Sequence, residues 1–97
     1  MAICAIYDFP TMTQDQYDEE IRQLNNGQPC RSLSDWPVPG ILSHVAGPTL
    51  DGWYVVEVWE SEESFQRFGE LLATIMEKAG IPPVAPKVYP VHNFVAQ

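Results

Sequence analysis

The feature that most constrains the fold is a pair of strand-like segments that are apolar on both faces. Residues 2–9 (AICAIYDF) alternate between two faces, and both faces carry apolar side chains. Residues 53–60 (WYVVEVWE) repeat this pattern, with Glu57 as the one acid between Val56 and Val58. An apolar sheet face left open to water is rare in a monomer. The segments therefore predict a sheet that must be covered on both sides.

Two other segments carry strong helix signals. Thr13 and Gln16 form a capping-box pattern, and residues 25–27 (NNG) end that helix. Ser61 caps a second helix, which Gly80 terminates. The acids Asp15, Asp18, Glu19 and Glu20 crowd the early turns of the first helix, where the helix dipole favours them. The predicted buried positions are Tyr17, Ile21 and Leu24 in the first helix and Phe65, Phe68, Leu72, Ile75, Met76 and Ala79 in the second.

The remaining segments complete a βαββαβ order. Residues 26–40 read as a Pro-rich loop that could act as a lid. Residues 41–47 and 53–60 form a hairpin, and the last strand is expected at 87–95. The 97 residues are enough for one domain only, spanning 1–97. The predicted fold class is α+β, ferredoxin-like, with a four-stranded antiparallel sheet.

Right-handed crossovers would place both helices on one face of this sheet. The other face would then stay apolar and open. A second copy of the chain, packed sheet to sheet, would cover it. We therefore expect a homodimer in which the two sheets form a dimeric α/β barrel.

Charge and cysteine usage narrow the classes of partner and compartment. The formal net charge is −8, and the five basic residues are scattered, so we expect no binding to nucleic acid or membrane. The start of the chain has no basic region and runs straight into a strand pattern, so we expect no signal peptide. Cys4 and Cys30 fall in different kinds of segment. We expect a cytoplasmic protein with free thiols.

Three stretches carry a family resemblance: residues 9–18 (FPTMTQDQYD), residues 44–63 from HVAGP through DGW to VWESEE, and residues 90–93 (PVHN). Together they resemble small bacterial proteins of the dimeric α/β-barrel superfamily, near its antibiotic biosynthesis monooxygenase-like branch. The loop at 26–38 departs from that pattern. The resemblance implies the same fold and dimer. It implies no single function, because the superfamily includes cofactor-free oxygenases, haem-degrading enzymes, lactone isomerases, cyclases and members without known activity. Residues 62–79 contain no histidine, which disfavours the haem-degrading branch.

His44, Glu57 and His92 are the candidate catalytic residues. A carboxylate beside two indoles would be partly desolvated, which suits Glu57 to proton transfer. If Gly47 pairs with Gly52, His44 lies opposite Val55 and shares a face with Glu57, whereas a one-residue shift sends it to the other face. His92 is expected in the last strand. The alternative is that both histidines and Glu57 are hydrogen-bonded or solvated groups at a sheet or dimer surface.

A second group could bind a flat apolar substrate, although residues such as Tyr7, Trp53 and Trp59 are more often core or interface residues. Trp36 could close over a ligand from the loop, and Asn93 could donate a hydrogen bond. The candidate substrate-binding residues are Tyr7, Trp36, Trp53, Trp59 and Asn93.

The sequence carries no nucleotide-binding or metal-ligand motif, so we expect no cofactor and no metal. Three functions stay open. The first is a cofactor-independent enzyme, monooxygenase-like or an isomerase or cyclase using acid–base catalysis, acting on a hydrophobic aromatic or polyketide-like molecule. The second is a non-catalytic dimer that binds a small apolar ligand. The third is a structural dimer with a filled interior.

Overall fold

A computed structural model describes residues 1–96 of the chain. Its element order is βαββαβ, as predicted, with one short 3-10 helix in the loop after the first α-helix. The elements are β1 (Ile3–Phe9), α1 (Gln14–Leu24), a 3-10 helix (Leu33–Asp35), β2 (Ile41–Pro48), β3 (Trp53–Trp59), α2 (Glu62–Ala79) and β4 (Lys87–Pro90).

The strands form one antiparallel sheet in the order β2-β3-β1-β4. This confirms the predicted α+β class and is consistent with a ferredoxin-like fold. The core lies between the sheet and the two helices. Aromatic contacts reach across this layer, from Tyr7 on β1 to Phe65 on α2 and from Trp53 on β3 to Tyr17 on α1.

The local signals that start and end the helices act as predicted. At α1, Thr13 Oγ1 accepts a hydrogen bond from the Gln16 backbone N–H, and Gln16 Oε1 accepts one from the Thr13 N–H, which completes the capping box. At α2, Ser61 Oγ accepts from the Ser64 N–H, and Gly80 adopts the left-handed conformation at φ 71°. These caps fix which face of each helix meets the sheet.

The register of the β2–β3 hairpin differs from the expected one. Gly47 pairs with Tyr54 instead of Gly52, and His44 lies directly opposite Glu57 instead of Val55. Because the register moves by two residues, His44 keeps the face that it shares with Glu57. The register shifts again between Ile41 and Ser43, so that Ile41 at the start of β2 pairs with Trp59.

The last strand is shorter than expected. β4 ends at Pro90 instead of reaching residue 95, so the prediction that His92 lies in a strand is wrong. Pro90 has no backbone N–H to donate to a ladder. The chain leaves the sheet after the Val91 N–H donates to Ala2 O, and His92 occupies a bend.

The sheet face away from the helices is apolar and partly open. Ile6, Val45 and Tyr89 are 37%, 53% and 51% exposed, and Val56 lies between Ile6 and Val45 in register. We call the patch formed by Cys4, Ile6, Val45, Val56, Val58 and Tyr89 the open sheet face. Within residues 1–96, no helix is long and apolar enough to cross a membrane.

Candidate functional site

Four side chains between α1 and the sheet form a hydrogen-bonded network, in which Glu57 and Trp59 are buried and Tyr17 and His44 are partly buried. Tyr17 on α1 has its hydroxyl 2.6 Å from His44 Nε2, and His44 Nδ1 is 2.9 Å from Glu57 Oε2. The other oxygen of Glu57, Oε1, accepts a hydrogen bond of 3.2 Å from the indole N–H of Trp59. Glu57 is 2% exposed and the His44 side chain 13%. The pairing of His44 with Glu57 is the contact on which the predicted acid–base pair depends.

Burial keeps the hydroxyl of Tyr17 protonated. Desolvation, followed by the charges of Glu20 and Glu57, raises the pKa of Tyr17 well above its ordinary value. Its hydroxyl therefore keeps its proton at neutral pH and can donate it to His44 Nε2. The proton on Nδ1 is then free to be donated to Glu57, so a single tautomer satisfies both contacts.

Glu20 is a second buried carboxyl beside this network. It lies on the inner side of α1, one turn after Tyr17, and is 6% exposed. Its Oε2 is fully buried and has no hydrogen-bond partner among residues 1–96. Desolvation, and then the charge of Glu57, raises the pKa of Glu20 to about 7.

A small cavity is lined by Glu20 and by the hydrogen-bonded residues Tyr17, His44 and Glu57. Its volume is about 10 Å³, close to what one water molecule requires. Five of its lining side chains can bind or release a proton: Tyr7, Tyr17, Glu20, His44 and Glu57. The cavity therefore brings titratable side chains together inside a lining that is otherwise apolar.

A larger apolar groove lies on the other side of Tyr7. Its volume is about 930 Å³, and Tyr7 and Leu72 line both this groove and the small cavity. Its walls come from α2 and from the Pro-rich segment 80–86. Desolvation, and then the charges of Glu57 and Glu20, raises the pKa of Tyr7, so this tyrosine also keeps its proton. The groove has the size of a small-molecule site.

The predicted aromatic residues occupy three different environments. Trp36 from the loop packs on the His44 ring at 4.5 Å between centroids and lines the small cavity. Trp53 is buried against Tyr17, and Trp59 is fully buried against Phe68. Neither Trp53 nor Trp59 lines the groove or the small cavity. Trp36 and Tyr7 therefore lie at the site, whereas Trp53 and Trp59 belong to its supporting core.

His92 and Asn93 lie away from this cluster. Both are exposed, and neither lines the groove or the small cavity. The structure thus brings together His44, Glu57, Tyr7 and Trp36 from the predicted set.

Sequence reasoning missed the roles of Tyr17 and Glu20. Tyr17 was assigned to the buried stripe of α1 and Glu20 to the helix dipole. The spacing of Tyr17, Glu20, Ile21 and Leu24 is that of one helix face, which is the signal that could have placed Glu20 inside.

Within the described part of the chain, no three His, Cys, Asp or Glu side chains are grouped so that they could hold a metal ion. Comparison with models of known protein families and with curated proteins gives no match. The candidate site therefore has to be interpreted from its own geometry.

Proposed function

We propose that the protein is a cofactor-independent enzyme that transfers protons on a small hydrophobic molecule, aromatic or polyketide-like, bound in the groove along α2. The observation that carries this proposal is the convergence of Tyr7, Tyr17, Glu20, His44 and Glu57 on one buried cavity next to that groove. Clusters of buried titratable groups beside an apolar pocket are typical of sites that move protons.

Tyr7 is the group of this cluster that also borders the groove. A protonated tyrosine can donate a hydrogen bond to a carbonyl or phenolic oxygen of the bound molecule, which stabilises negative charge developing there. His44 would be the base and Glu57 would orient its ring. Because neither residue lines the groove, the substrate proton would pass through Tyr7 and the small cavity, the Tyr7 hydroxyl taking the substrate proton as its own proton moves on towards His44. The reaction class that fits is an isomerisation or cyclisation through an enol.

The resemblance to antibiotic biosynthesis monooxygenase-like proteins suggests an oxidative variant of the same site. In that variant, removal of a phenolic proton would prepare the substrate for reaction with O₂. The residues would have the same roles, and oxygen uptake would distinguish this variant from isomerisation.

A second candidate is a non-catalytic protein that binds a small apolar ligand. Both ring nitrogens of His44 already have partners within the chain, and the small cavity has room for about one water. A ligand in the groove would then contact Tyr7 but neither member of the His44–Glu57 pair. The groove would serve for storage or delivery.

One experiment separates the two candidates. The protein is incubated in D₂O with a panel of neutral phenols and aromatic ketones, and we measure deuterium incorporation, oxygen uptake and recovery of unchanged ligand. Catalysis predicts turnover that His44→Ala lowers by at least about 100-fold. His92→Ala is the matched control, since His92 is exposed and outside both cavities, and it should leave turnover unchanged.

Saturable binding of a panel compound in the groove, with the compound recovered unchanged and without deuterium, would favour the ligand-binding candidate. Full turnover by His44→Ala would remove the proposed base. Loss of turnover in His92→Ala alone would transfer the role to His92.

The partner proposed for the open sheet face is a second copy of the chain. Ile6, Val45 and Tyr89 are exposed there, and a matching apolar face would remove them from water. The net charge of −8 disfavours an anionic surface as the alternative occupant.

A further inference from the structure

We infer that Glu20 is the proton-transfer residue that connects solvent to the buried His44–Glu57 pair, through one water held in the small cavity. This inference deepens the proposed function, because it names the route by which the pair would regain or lose its proton. It concerns proton exchange in the protein without substrate, so it can be tested whether or not the protein turns a substrate over.

The position of Glu20 between two cavities is the first step of the argument. Glu20 lines the small cavity that it shares with His44 and Glu57, and it also lines a groove of about 400 Å³ between α1 and α2. That second groove is bordered by exposed polar side chains and is therefore in contact with solvent. No other proton-binding side chain borders both cavities among residues 1–96.

The unpaired oxygen of Glu20 is the second step. A buried carboxyl oxygen without a hydrogen bond is costly, and a water bonded to it would relieve that cost. The small cavity has about the volume of one water, and its lining includes Glu20, His44 and Glu57, whose side chains can bond to a water. A water placed there can bond to Glu20 and to a member of the His44–Glu57 pair.

Charged and titratable groups face Glu20 from both the small cavity and the α1–α2 groove. On the cavity side these are Tyr7 from β1, Tyr17 from α1 itself, His44 from β2 and Glu57 from β3, while the loop contributes Trp36, which does not titrate. On the groove side they are Asp15, Glu19 and Lys78.

Desolvation and the charge of Glu57 together raise the pKa of Glu20 to about 7, so both of its protonation states are populated near neutral pH. A residue that relays protons at this pH needs both states.

The proposed step balances as a proton relay. The protonated Glu20 gives its proton to the cavity water, and that water gives a different proton to the Glu57 carboxylate. The bonds broken are the Glu20 O–H and one O–H of the water, and the bonds formed are one new O–H on the water and one on Glu57. The negative charge moves from Glu57 to Glu20, which then takes a proton from solvent in the α1–α2 groove.

The test measures how fast the Nδ1 proton of His44 exchanges with solvent, by NMR of the ligand-free protein at neutral pH. Glu20→Gln keeps the shape of the side chain but cannot relay a proton, and we expect it to slow this exchange by at least about tenfold. Glu20→Met serves the same purpose if Glu20→Gln does not fold. Glu19→Gln is the matched control: it removes the neighbouring carboxylate, which is 57% exposed, and should leave the exchange rate unchanged.

The backbone amide of Trp59 reports on opening of the whole fold, because Trp59 is fully buried and lies on β3, which pairs with a strand on each side. Slower exchange at His44 with an unchanged Trp59 amide supports the relay. An unchanged exchange rate in Glu20→Gln overturns it, and so does an equal slowing in Glu19→Gln or at the Trp59 amide. Turnover without a Glu20 effect on exchange would leave the proposed enzyme standing while this inference falls.

Discussion

At the scale of single residues, burial of Glu20 should make stability depend on pH. The pKa of about 7 in the folded chain is higher than the 4.5 of an unburied glutamate, so the folded state binds this proton more tightly. The contribution of Glu20 to the free energy of unfolding is therefore largest below about pH 4.5, falls as the pH rises to about 7, and stays low above it.

Glu20→Gln should remove this dependence, because glutamine does not titrate. We expect the stability of the variant relative to the wild type to rise between pH 4.5 and pH 8, by up to about 3 kcal/mol. Urea unfolding at a series of pH values measures it. Glu19→Gln should show a difference that is flat with pH, since Glu19 is exposed. A flat difference for Glu20→Gln as well would contradict the raised pKa of Glu20 in the folded protein.

The sequence could single out His44 and Glu57 but could not predict their surroundings. Both are polar residues in apolar strands, and whether they share a face depended on the hairpin register, which differs from the expected one by two residues and so keeps them on the same face. Tyr17 is predicted at a buried position and packs, partly buried, against the core, but its hydroxyl partner comes from a strand 27 positions further along the chain. Glu20 is one of four acids whose charge favours the start of a helix, so charge alone does not separate it from the other three. Only its spacing with Ile21 and Leu24 on one helix face indicates that it points inward.

At the scale of elements, the β2–β3 hairpin controls whether His44 meets Glu57. The turn brings Gly52 so close to β1 that an added Cβ would lie 2.0 Å from the Phe9 carbonyl oxygen. Backbone atoms cannot move aside as a side-chain tip could. Gly52→Ala should therefore displace the end of β1 or the hairpin, at a cost of about 2 kcal/mol or more.

Gly69 in α2 is the matched control, since an added Cβ there would meet nothing within 4 Å. Gly69→Ala should stabilise the helix by roughly 0.5–1 kcal/mol. Thermal unfolding of both variants measures the contrast. Equal stabilities would show that the Gly52 turn yields without strain.

Element boundaries show where local patterns stop being sufficient. The caps of α1 and α2 depend on neighbours in sequence, and the pattern predicted them correctly. The hairpin register follows from the turn at 49–52, where the Thr49 N–H donates to Gly52 O and Thr49 Oγ1 accepts from the Gly52 N–H, so that Pro48 pairs with Trp53. β4 pairs with β1 over four residues only and ends at Pro90, whose missing backbone N–H is a local signal that the expected strand to residue 95 did not take into account.

At the scale of the whole molecule, we predict that two copies of the chain associate. The sheet is apolar on both faces, and the helices cover only one of them. The open sheet face exposes Ile6, Val45 and Tyr89 near its centre and edges. Burying such side chains against a second copy contributes about 25 cal/mol for each Å² of apolar surface removed from water. The chain should therefore sediment at micromolar concentration with twice its mass of 10.9 kDa.

Val45→Glu tests this association at one point of the open sheet face. Because Val45 is 53% exposed in the single chain, the change should cost the monomer little, whereas two buried carboxylates in a paired sheet would be strongly unfavourable. We expect sedimentation at the mass of one chain. Leu50→Glu is the matched control, since Leu50 is 98% exposed in the hairpin turn and outside this face, and it should leave the dimer intact. A wild-type chain that sediments alone, or a Val45→Glu chain that still pairs, would mean that the open sheet face is not the interface.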